Sequence, residues 1–272
     1  MFQKIAFIGA GSMAEAIVSG LVKAPELIQP EDIIVTNKVN EVRLQELHDK
    51  YEVTPIVDKQ EVVTDAEVIV LSMKPKDLQS ALDEIIPYLV PGQLIISVIA
   101  GIEEAHIRAL IGKNIPIIRT MPNTSAMIGA SATGIAQGKY ATDTHVQQAE
   151  RLFQTIGTTV VVPEEKLHGV TGISGSGPAY FYYMVEAMEE AAVDVGLDEE
   201  TAKALVRQTI LGAGRMLEET GEPAGTLRKN ITSPGGTTNA AITKLGELDF
   251  QHIVKQGVQA AYNRSIEMSK EK

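Results

Sequence analysis

The chain has no cysteine among its 272 residues. This excludes disulfide bonds, thiolate nucleophiles and cysteine-ligated metal sites, and it favours an intracellular protein. Basic residues are also scarce, because 24 Lys and Arg stand against 35 Asp and Glu, which gives a formal charge of −11. Nucleic acids and anionic membranes need a basic surface, so neither is an expected partner. No apolar run approaches the roughly 18 residues that a membrane span needs. We therefore predict a soluble, cytoplasmic protein.

Several catalytic signatures are missing as well. The sequence has no G-x-S-x-G elbow and no Walker loop. No residues have metal-ligand spacing, so no metal is expected. The five histidines share no motif, and a surface or packing role is the simpler interpretation of each. They are His48, His106, His145, His168 and His252. His168 is the strongest candidate among them for another role, because it lies near the predicted domain junction.

The first 160 residues alternate short β-branched runs with amphipathic segments. Nearly continuous apolar runs of about five or six residues are expected for strands that helices cover on both faces. Strands are predicted at 4–9, 32–36, 67–72, 94–98, 116–120 and 158–162, and helices at 12–22, 40–49, 75–88, 103–111 and 142–155. This alternation indicates βαβ units and a Rossmann-type α/β fold with a doubly wound, mostly parallel sheet.

Beyond about residue 164 the strand signal stops. Helices are predicted at 178–197, 199–219, 239–248 and 250–268. We therefore predict two domains, a dinucleotide-binding Rossmann domain over 1–163 and an all-helical domain over 164–272. The first two helices of the second domain are rich in Ala, Met and small residues. Their faces fit an intramolecular core and a dimer interface equally well.

A glycine motif opens the first predicted helix directly after the first strand. It reads Gly9-Ala10-Gly11-Ser12-Met13-Ala14, which is G-x-G-x-x-A in the required strand–turn–helix context. Gly9 permits a tight turn, Gly11 lets the backbone approach a pyrophosphate, and Ala14 keeps the helix close to the sheet. The helix N-terminus then faces the phosphates. We predict a dinucleotide bound by Gly9, Ala10, Gly11, Ser12 and Met13. A glycine-rich turn without a ligand is the less favoured alternative.

The end of the second predicted strand distinguishes between NAD and NADP. An Asp or Glu at this point would bind the ribose 2′-hydroxyl and repel a 2′-phosphate. The sequence instead reads Thr36-Asn37-Lys38, with Arg43 a turn later. These neutral and basic groups suit a phosphate, so we predict that NADP(H) is preferred and that NAD(H) is possible. Lys38 could alternatively be a solvated surface lysine.

Three further strand ends should border the same crevice. They read Ser72-Met73-Lys74-Pro75, Ala100-Gly101 and Arg119-Thr120-Met121-Pro122-Asn123-Thr124. Ligands of open α/β sheets bind outside the carboxyl ends of the strands. These residues are therefore predicted to lie where the nicotinamide half of the cofactor would bind. Pro75 also suits the first turn of the following helix, which is a purely structural role.

A long charge-free stretch lies between two predicted helices in the second half of the chain. It reads NITSPGGTTNAAIT, residues 230–243, and Thr237, Thr238 or Asn239 could cap the helix that follows. Backbone N–H groups that run from a glycine turn into a helix N-terminus bind a carboxylate without Arg or Lys. A hydride acceptor that is already activated, such as a protonated imine, needs positioning rather than a strong acid. The alternative role of this loop is helix packing alone.

The motifs together resemble the pyrroline-5-carboxylate reductase family over essentially the whole chain. IGAGSMAEAI, MKPKD, MPNT, ISGSGPAYF and NITSPGGTTNAAI follow one another in the family's order, and the last is highly specific. The resemblance implies reduction of the C=N bond of 1-pyrroline-5-carboxylate by NAD(P)H to give L-proline, the last step of proline biosynthesis. It also implies a helical domain that interlocks into a homodimer, with a ring of dimers as a further possibility.

The resemblance also implies roles for individual residues. Gly236, Thr237 and Thr238 would hold the substrate carboxylate and ring, with the catalytic Thr238 hydroxyl facing the ring nitrogen. Asn230 would lie near the nicotinamide carboxamide, and Asn37 and Lys38 near the adenosine phosphate. Asp58 stands where relatives often have an asparagine near the ribose, which puts its role, and the preference for NADP, in doubt. Glu222 is given no site role.

Two rival functions are left open by the residues alone. A β-hydroxyacid dehydrogenase has the same order of domains, but it is expected to carry a lysine on the long interdomain helix. Residues 178–195 contain no lysine. A non-catalytic NADP-sensing protein would bind the cofactor without turnover, and the charge-free loop would then have no purpose.

Overall fold

The computed structural model describes residues 1–270. The chain forms two compact units. The first contains Met1–Ser176 and also the chain from Ala261 onward, and the second contains Gly177–Ala260. The functional boundary between residues 163 and 164 stays a prediction. No helix in the described part of the chain is both long and apolar enough to cross a membrane.

The first unit is built on one eight-stranded sheet. Its strands are β1 (Ile5–Ile8), β2 (Ile33–Thr36), β3 (Thr54–Pro55), β4 (Val68–Leu71), β5 (Leu94–Ser97), β6 (Ile117–Met121), β7 (Ser131–Gln137) and β8 (Gly157–Val161). Their order is β3-β2-β1-β4-β5-β6-β7-β8. Strands β1 to β6 are parallel, β7 is antiparallel to β6, and β8 is parallel to β7. The predicted Rossmann-type, mostly parallel sheet is confirmed.

Helices cover both faces of this sheet, which explains why the central strands are continuous apolar runs. On one face pack α1 (Ser12–Val22), α2 (Glu41–Tyr51) and α6 (Asp143–Gln154). On the other pack α3 (Lys59–Val63), α4 (Leu78–Ile85) and α5 (Glu104–Ile111). All residues of β1, β2, β4 and β5 are buried. Two hydrophobic cores therefore fix the strand ends, which is where ligands of this fold bind.

The sequence pattern misplaced some elements. The helix predicted at 75–88 is shorter, because α4 is flanked by 3₁₀ turns at Pro75–Asp77 and Ile86–Tyr88. Each turn contains a proline, which lacks the N–H group that an α-helix requires. Strand β7 was not predicted, since its sequence SATGIAQ has small residues and a central glycine instead of a β-branched run.

The second half of the chain is helical, as predicted. It begins within the first unit with α7 (Leu167–Val170) and a π-helical segment, Thr171–Gly175. The helices that follow are α8 (Gly177–Asp194), α9 (Glu199–Thr220), α10 (Ala224–Asn230), α11 (Thr237–Glu247) and α12 (Phe250–Lys270). Asp198 caps α9 by accepting a hydrogen bond of 2.9 Å from the Thr201 N–H. The short helix α10 was not predicted.

The second unit has almost no core of its own. Its residues, Gly177–Ala260, are all described, and those that are buried are Gly177, Ala202 and Val206. Large apolar side chains are exposed along its helices, including Tyr183 at 78 % and Leu205 at 53 %. Large apolar side chains exposed in such number are typical of a surface that another protein surface covers.

Candidate active site

The turn after β1 holds three strand ends together. Gly9 has a φ of +112°, and a Cβ atom there would lie 2.8 Å from the Met73 nitrogen. Only glycine fits at this position, as the motif predicts. The Gly9 N–H donates to the Thr36 carbonyl at 2.9 Å, and the Ser72 hydroxyl donates to the Gly9 carbonyl at 2.8 Å. The ends of β1, β2 and β4 therefore form one rigid edge.

The N-terminus of α1 opens at this edge. Gly11 is the N-cap residue, and the first intrahelical hydrogen bond runs from the Glu15 N–H to the Gly11 carbonyl at 2.9 Å. The N–H groups of residues 12–14 precede this bond and have no intrahelical acceptor. A Cβ atom on Gly11 would meet nothing within 4 Å, so the space in front of the helix is open. This is the geometry that binds a pyrophosphate.

A crevice of about 410 Å³ runs along the same edge. The predicted cofactor residues that line it are Gly9, Ala10, Gly11, Asn37, Lys38, Ser72, Met73 and Lys74. Those outside the lining are Ser12, Met13, Pro75, Ala100 and Asn230, and the last belongs to the second unit. The crevice is also lined by Lys76 and Asp77, which belong to the MKPKD motif but were given no role, and by Lys59, Ser80 and Glu84, which the sequence did not single out. No sequence pattern pointed to Lys59, because the strand before it, β3, is only two residues long.

The crevice is cationic although the whole chain is acidic. Four lysines and two carboxylates line it, and the lysines are Lys38, Lys59, Lys74 and Lys76. A local excess of positive charge in a protein of net charge −11 favours a ligand with several phosphates. The glycine turn, the open helix N-terminus and the lysines thus all suit a dinucleotide.

Arg43 does not line the crevice, in contrast to the suggestion that it suits a phosphate. Its Nε donates to the Ala10 carbonyl at 3.1 Å, and its guanidinium pairs with Glu15 and Glu46. Glu15 is buried and also accepts from Lys50 at 2.9 Å. Hydrogen bonds from Arg43, which has the largest effect, and from Lys50 and Tyr51 lower the pKa of Glu15 to about 2. Arg43 therefore supports the glycine turn from behind.

Asp58 has a structural role that the sequence left undecided. Its carboxylate accepts a hydrogen bond of 2.9 Å from the Glu61 N–H and caps α3. Asp58 does not line the crevice. The Asp58 carboxylate is thus engaged in capping the N-terminus of α3.

The charge-free loop forms a tight turn that leads into α11. The Gly236 N–H donates to the Ser233 carbonyl at 3.0 Å, and Gly235 has a φ of +74°. This matches a type II turn, with Pro234 at the second position and glycine at the third. Asn230 is both the last residue of α10 and the first residue of the charge-free stretch.

Gly236, rather than a side chain, caps α11. The prediction that Thr237, Thr238 or Asn239 caps this helix is wrong, because Gly236 is the N-cap residue and Thr237 is the first helical residue. The first intrahelical bond runs from the Ala240 N–H to the Gly236 carbonyl at 3.1 Å. The N–H groups of residues 237–239 precede it and are directed out of the helix. The loop therefore presents backbone N–H donors and hydroxyls of a kind that suits an anion, and its role in substrate binding stays a prediction.

The ISGSGP motif contains the π-helical segment. The Ser176 N–H donates to the Thr171 carbonyl at 2.8 Å, which is the five-residue spacing of a π-helix. Asn123, from the MPNT motif, donates through Nδ2 to the Ser174 carbonyl at 3.0 Å. A Cβ atom on Gly175 would lie 2.9 Å from the Met121 side chain. Two motifs far apart in the sequence therefore meet here.

His168 is a packing residue in this structure. Its Nδ1 lies 2.9 Å from the hydroxyl of the buried Ser265, and its ring meets the edge of Tyr262. Burial lowers the pKa of His168, and the charge on Arg119 lowers it further. The described residues contain no group of His, Asp and Glu side chains that could hold a metal ion.

The sheet order, the glycine turn and the cationic crevice define a Rossmann-type nucleotide-binding protein. Residues 4–101 match the family model described as NADP oxidoreductase coenzyme F420-dependent. Residues 164–268 match the model for pyrroline-5-carboxylate reductase dimerisation. These findings support a pyridine nucleotide as the cofactor and an oligomeric protein.

Full-length relatives define the family. The chain is 45 % identical over 269 residues to pyrroline-5-carboxylate reductase 2 of Bacillus subtilis (strain 168), which covers 99 % of this chain and 96 % of that protein. The solved structure of a pyrroline-5-carboxylate reductase from Coxiella burnetii has a TM-score of 0.93 at 35 % identity and covers 99 % of both chains. The structure of Plasmodium falciparum pyrroline carboxylate reductase with NADP bound has a TM-score of 0.85 at 29 % identity and covers 98 % of both. The chain belongs to the pyrroline-5-carboxylate reductase family and is an oxidoreductase.

Proposed function

We propose that this chain reduces the C=N bond of 1-pyrroline-5-carboxylate to give L-proline, the last step of proline biosynthesis. The observation that carries the proposal is the charge-free N-terminus of α11, whose backbone N–H groups and hydroxyls suit a small carboxylate. The names of the full-length relatives support the same substrate. NADPH is the preferred reductant in this proposal, and NADH is accepted.

Gly236, Thr237 and Thr238 bind the substrate in this proposal. The N–H groups at the start of α11 hold its carboxylate, because they have no intrahelical acceptor and lie at the positive end of the helix dipole. The Thr238 hydroxyl faces the ring nitrogen and orients it. The substrate brings its own charges, which is why the loop needs none.

The reaction requires no strong acid from the protein. Bound NAD(P)H supplies a hydride from C4 of the nicotinamide. The imine carbon gains this hydride, while the electron pair of the broken C=N π bond goes to the ring nitrogen. When the nitrogen is already protonated as an iminium, the product is a neutral secondary amine and no further proton is needed. The residues of the site therefore act by binding and orientation.

The crevice of the first unit holds the cofactor in this proposal. The turn at Gly9–Met13 takes the pyrophosphate, and the strand end at Ser72–Pro75 and Ala100 borders the bound nucleotide. Asn37 and Lys38 take the 2′-phosphate. The preference for NADP(H) is supported by Asn37 and Lys38 at the end of β2, where an acid would favour NAD(H). The role of Asn230 as a nicotinamide contact stays a prediction.

The second unit forms a homodimer in this proposal. Its few buried residues and exposed apolar side chains support a second copy of this chain as the covering partner. Light scattering after gel filtration is expected to give a mass of at least two chains. A monomer at micromolar concentration would contradict the dimer. A ring of dimers stays a prediction that the same measurement tests.

An NADPH-oxidation assay tests the function. Turnover is expected with 1-pyrroline-5-carboxylate and not with a panel of 2-oxo acids. The reverse assay, with NADP⁺ and 3-hydroxy acids, tests the dehydrogenase alternative. Cofactor binding without turnover of any of these compounds would favour the sensing protein and overturn the reductase.

A further inference from the structure

We propose that Lys59 is a second determinant of cofactor specificity, a fixed ammonium group at the end of β2 that favours a 2′-phosphate over a 2′-hydroxyl. The proposal rests on the proposed preference of the crevice for NADP(H). It assigns to Lys59 a role that is separate from that of Lys38, which is exposed at the crevice rim.

Lys59 is held in place by three neutral oxygens. Its Nζ donates to the Thr36 hydroxyl at 2.9 Å, to the Asn37 carbonyl at 3.1 Å and to the Val57 carbonyl at 3.2 Å. These bonds use the three donors of an ammonium group. Thr36 is fully buried, so one of the anchors is rigid. The position of this charge is therefore set by the end of β2.

The charge of Lys59 has no close counterion among the residues that the structure describes. No carboxylate lies within the 4.0 Å of an ion pair. Burial lowers the pKa of Lys59, and the more distant Glu84 and Asp58 raise it less. The Asp58 carboxylate is already bound to the Glu61 N–H. A partly buried ammonium group that is surrounded only by neutral dipoles is strongly stabilised by a nearby anion.

The position of this cation points to a specific part of the ligand. Lys59 contacts Thr36 and Asn37, the residues at which this fold recognises the 2′ substituent of the adenosine ribose. Both Lys38 and Lys59 line the same crevice. Lys38 is exposed and screened by water, whereas Lys59 is fixed and partly desolvated, so the charge of Lys59 is less screened and interacts more strongly with a nearby anion.

Lys59 could also act merely as a brace for the turn after β2, and the two roles predict different results. A brace would affect every adenine nucleotide equally, because all of them use the same turn. If the charge of Lys59 determines specificity, its removal lowers the affinity for nucleotides that carry a 2′-phosphate and leaves the affinity for the others nearly unchanged. The comparison of two nucleotides that differ by this group separates the roles.

Calorimetric titration of the full-length protein with adenosine 2′,5′-bisphosphate and with 5′-AMP tests the proposal. For Lys59→Met, the affinity for the bisphosphate is expected to fall about tenfold or more, while the affinity for 5′-AMP changes less than about twofold. Lys59→Gln keeps N–H donors but removes the charge, so it should behave like Lys59→Met. It replaces Lys59→Met in the experiment if the methionine variant does not fold. Lys59→Arg should keep the preference. Lys23→Met, an exposed lysine outside the crevice, is the control.

Each outcome has one interpretation. If the folded Lys59→Met and Lys59→Gln variants lose affinity for both nucleotides equally, the specificity role is overturned and Lys59 only braces the turn after β2. An unchanged preference in both would also overturn it. If the unmodified protein shows no preference for the bisphosphate, the proposed NADP(H) preference fails as well. No imine is present in these titrations, so a failure of the reductase activity would be detected separately.

Discussion

The Asn123 amide donates a hydrogen bond of 3.0 Å to the Ser174 carbonyl, across 51 positions of the chain. The same side chain accepts from the Ser125 N–H through Oδ1 at 3.0 Å. Asn123 is buried, and its own N–H donates to the Ser131 hydroxyl at 3.1 Å. One residue therefore joins the end of β6, the turn that follows it and the π-helical segment.

Loss of this side chain should destabilise the first unit. For Asn123→Ala we expect the free energy of unfolding to fall by about 1–3 kcal/mol, because buried partners lose their hydrogen bonds. Urea denaturation followed by circular dichroism measures this change. Thr124→Ala alters the neighbouring exposed residue and should change the stability far less. Equal effects of the two substitutions would show that the Asn123 contacts contribute little.

Reversal of the charge at Lys38 should discriminate between the two cofactors. Lys38→Glu is expected to raise the KM for NADPH about tenfold or more, because a carboxylate repels a 2′-phosphate. The KM for NADH should change much less. Lys23→Glu makes the same change of net charge at an exposed site outside the crevice and should leave both constants nearly unchanged. An equal rise for both cofactors would contradict the assignment of Lys38.

The hydroxyl of Thr238 should matter for turnover and not for the cofactor. For Thr238→Ala we expect a lower kcat, by a factor of roughly 2 to 10, which corresponds to one hydrogen bond of about 0.5–1.5 kcal/mol. Thr238→Ser keeps the hydroxyl and should retain most of the activity. Thr243→Ala, on the exposed face of the same helix, is the matched control. A variant at Thr238 that no longer binds NADPH would place this residue at the cofactor instead.

The free energy of unfolding of the first unit should depend on pH through the protonation of Glu15. Its pKa is lowered from 4.5 to about 2, chiefly by the hydrogen bond from Arg43. The folded state therefore binds this proton less tightly than the unfolded state. The stabilisation is complete above about pH 4.5 and is lost as the pH falls towards 2.

Denaturation curves between pH 3 and 7 can isolate this contribution. Glu15→Gln should be less stable than the unmodified protein at neutral pH, and the difference should narrow as the pH falls. Glu26→Gln, at an exposed carboxylate, should leave the acid dependence nearly unchanged. A difference that stays constant over this range would show that Glu15 is not responsible.

Much of the first unit could be predicted because its strands obey a simple rule. A strand buried on both faces must be apolar throughout, so the runs around Ile5–Ile8 and Val68–Leu71 were recognisable. β7 does not obey this rule. At Gly134, in the middle of this strand, a Cβ atom would lie 2.8 Å from the Val170 side chain. The packing that explains this glycine becomes visible once the chain is folded.

The candidate site divides in the same way. The glycine turn was predictable, because its residue types follow from the backbone geometry at Gly9 and Gly11. The role of Lys59 was not predictable, because it depends on contacts with Thr36 and Asn37, which lie 23 and 22 positions away in the sequence. Arg43 was misjudged in the opposite direction. Its proximity in sequence to Asn37 and Lys38 suggested that it binds a phosphate, whereas in the folded chain it contacts the Ala10 carbonyl and Glu15 and supports the glycine turn.

The charge-free stretch that runs from the end of α10 into α11 has a consequence for the control of the proposed reaction by pH. From Asn230 to Thr243 no side chain carries a group that titrates in the physiological range. The protonation equilibrium that matters at this loop is then the one of the imine itself. An engineer who wished to move the pH optimum would find no residue here to retune and would have to introduce an ionisable one.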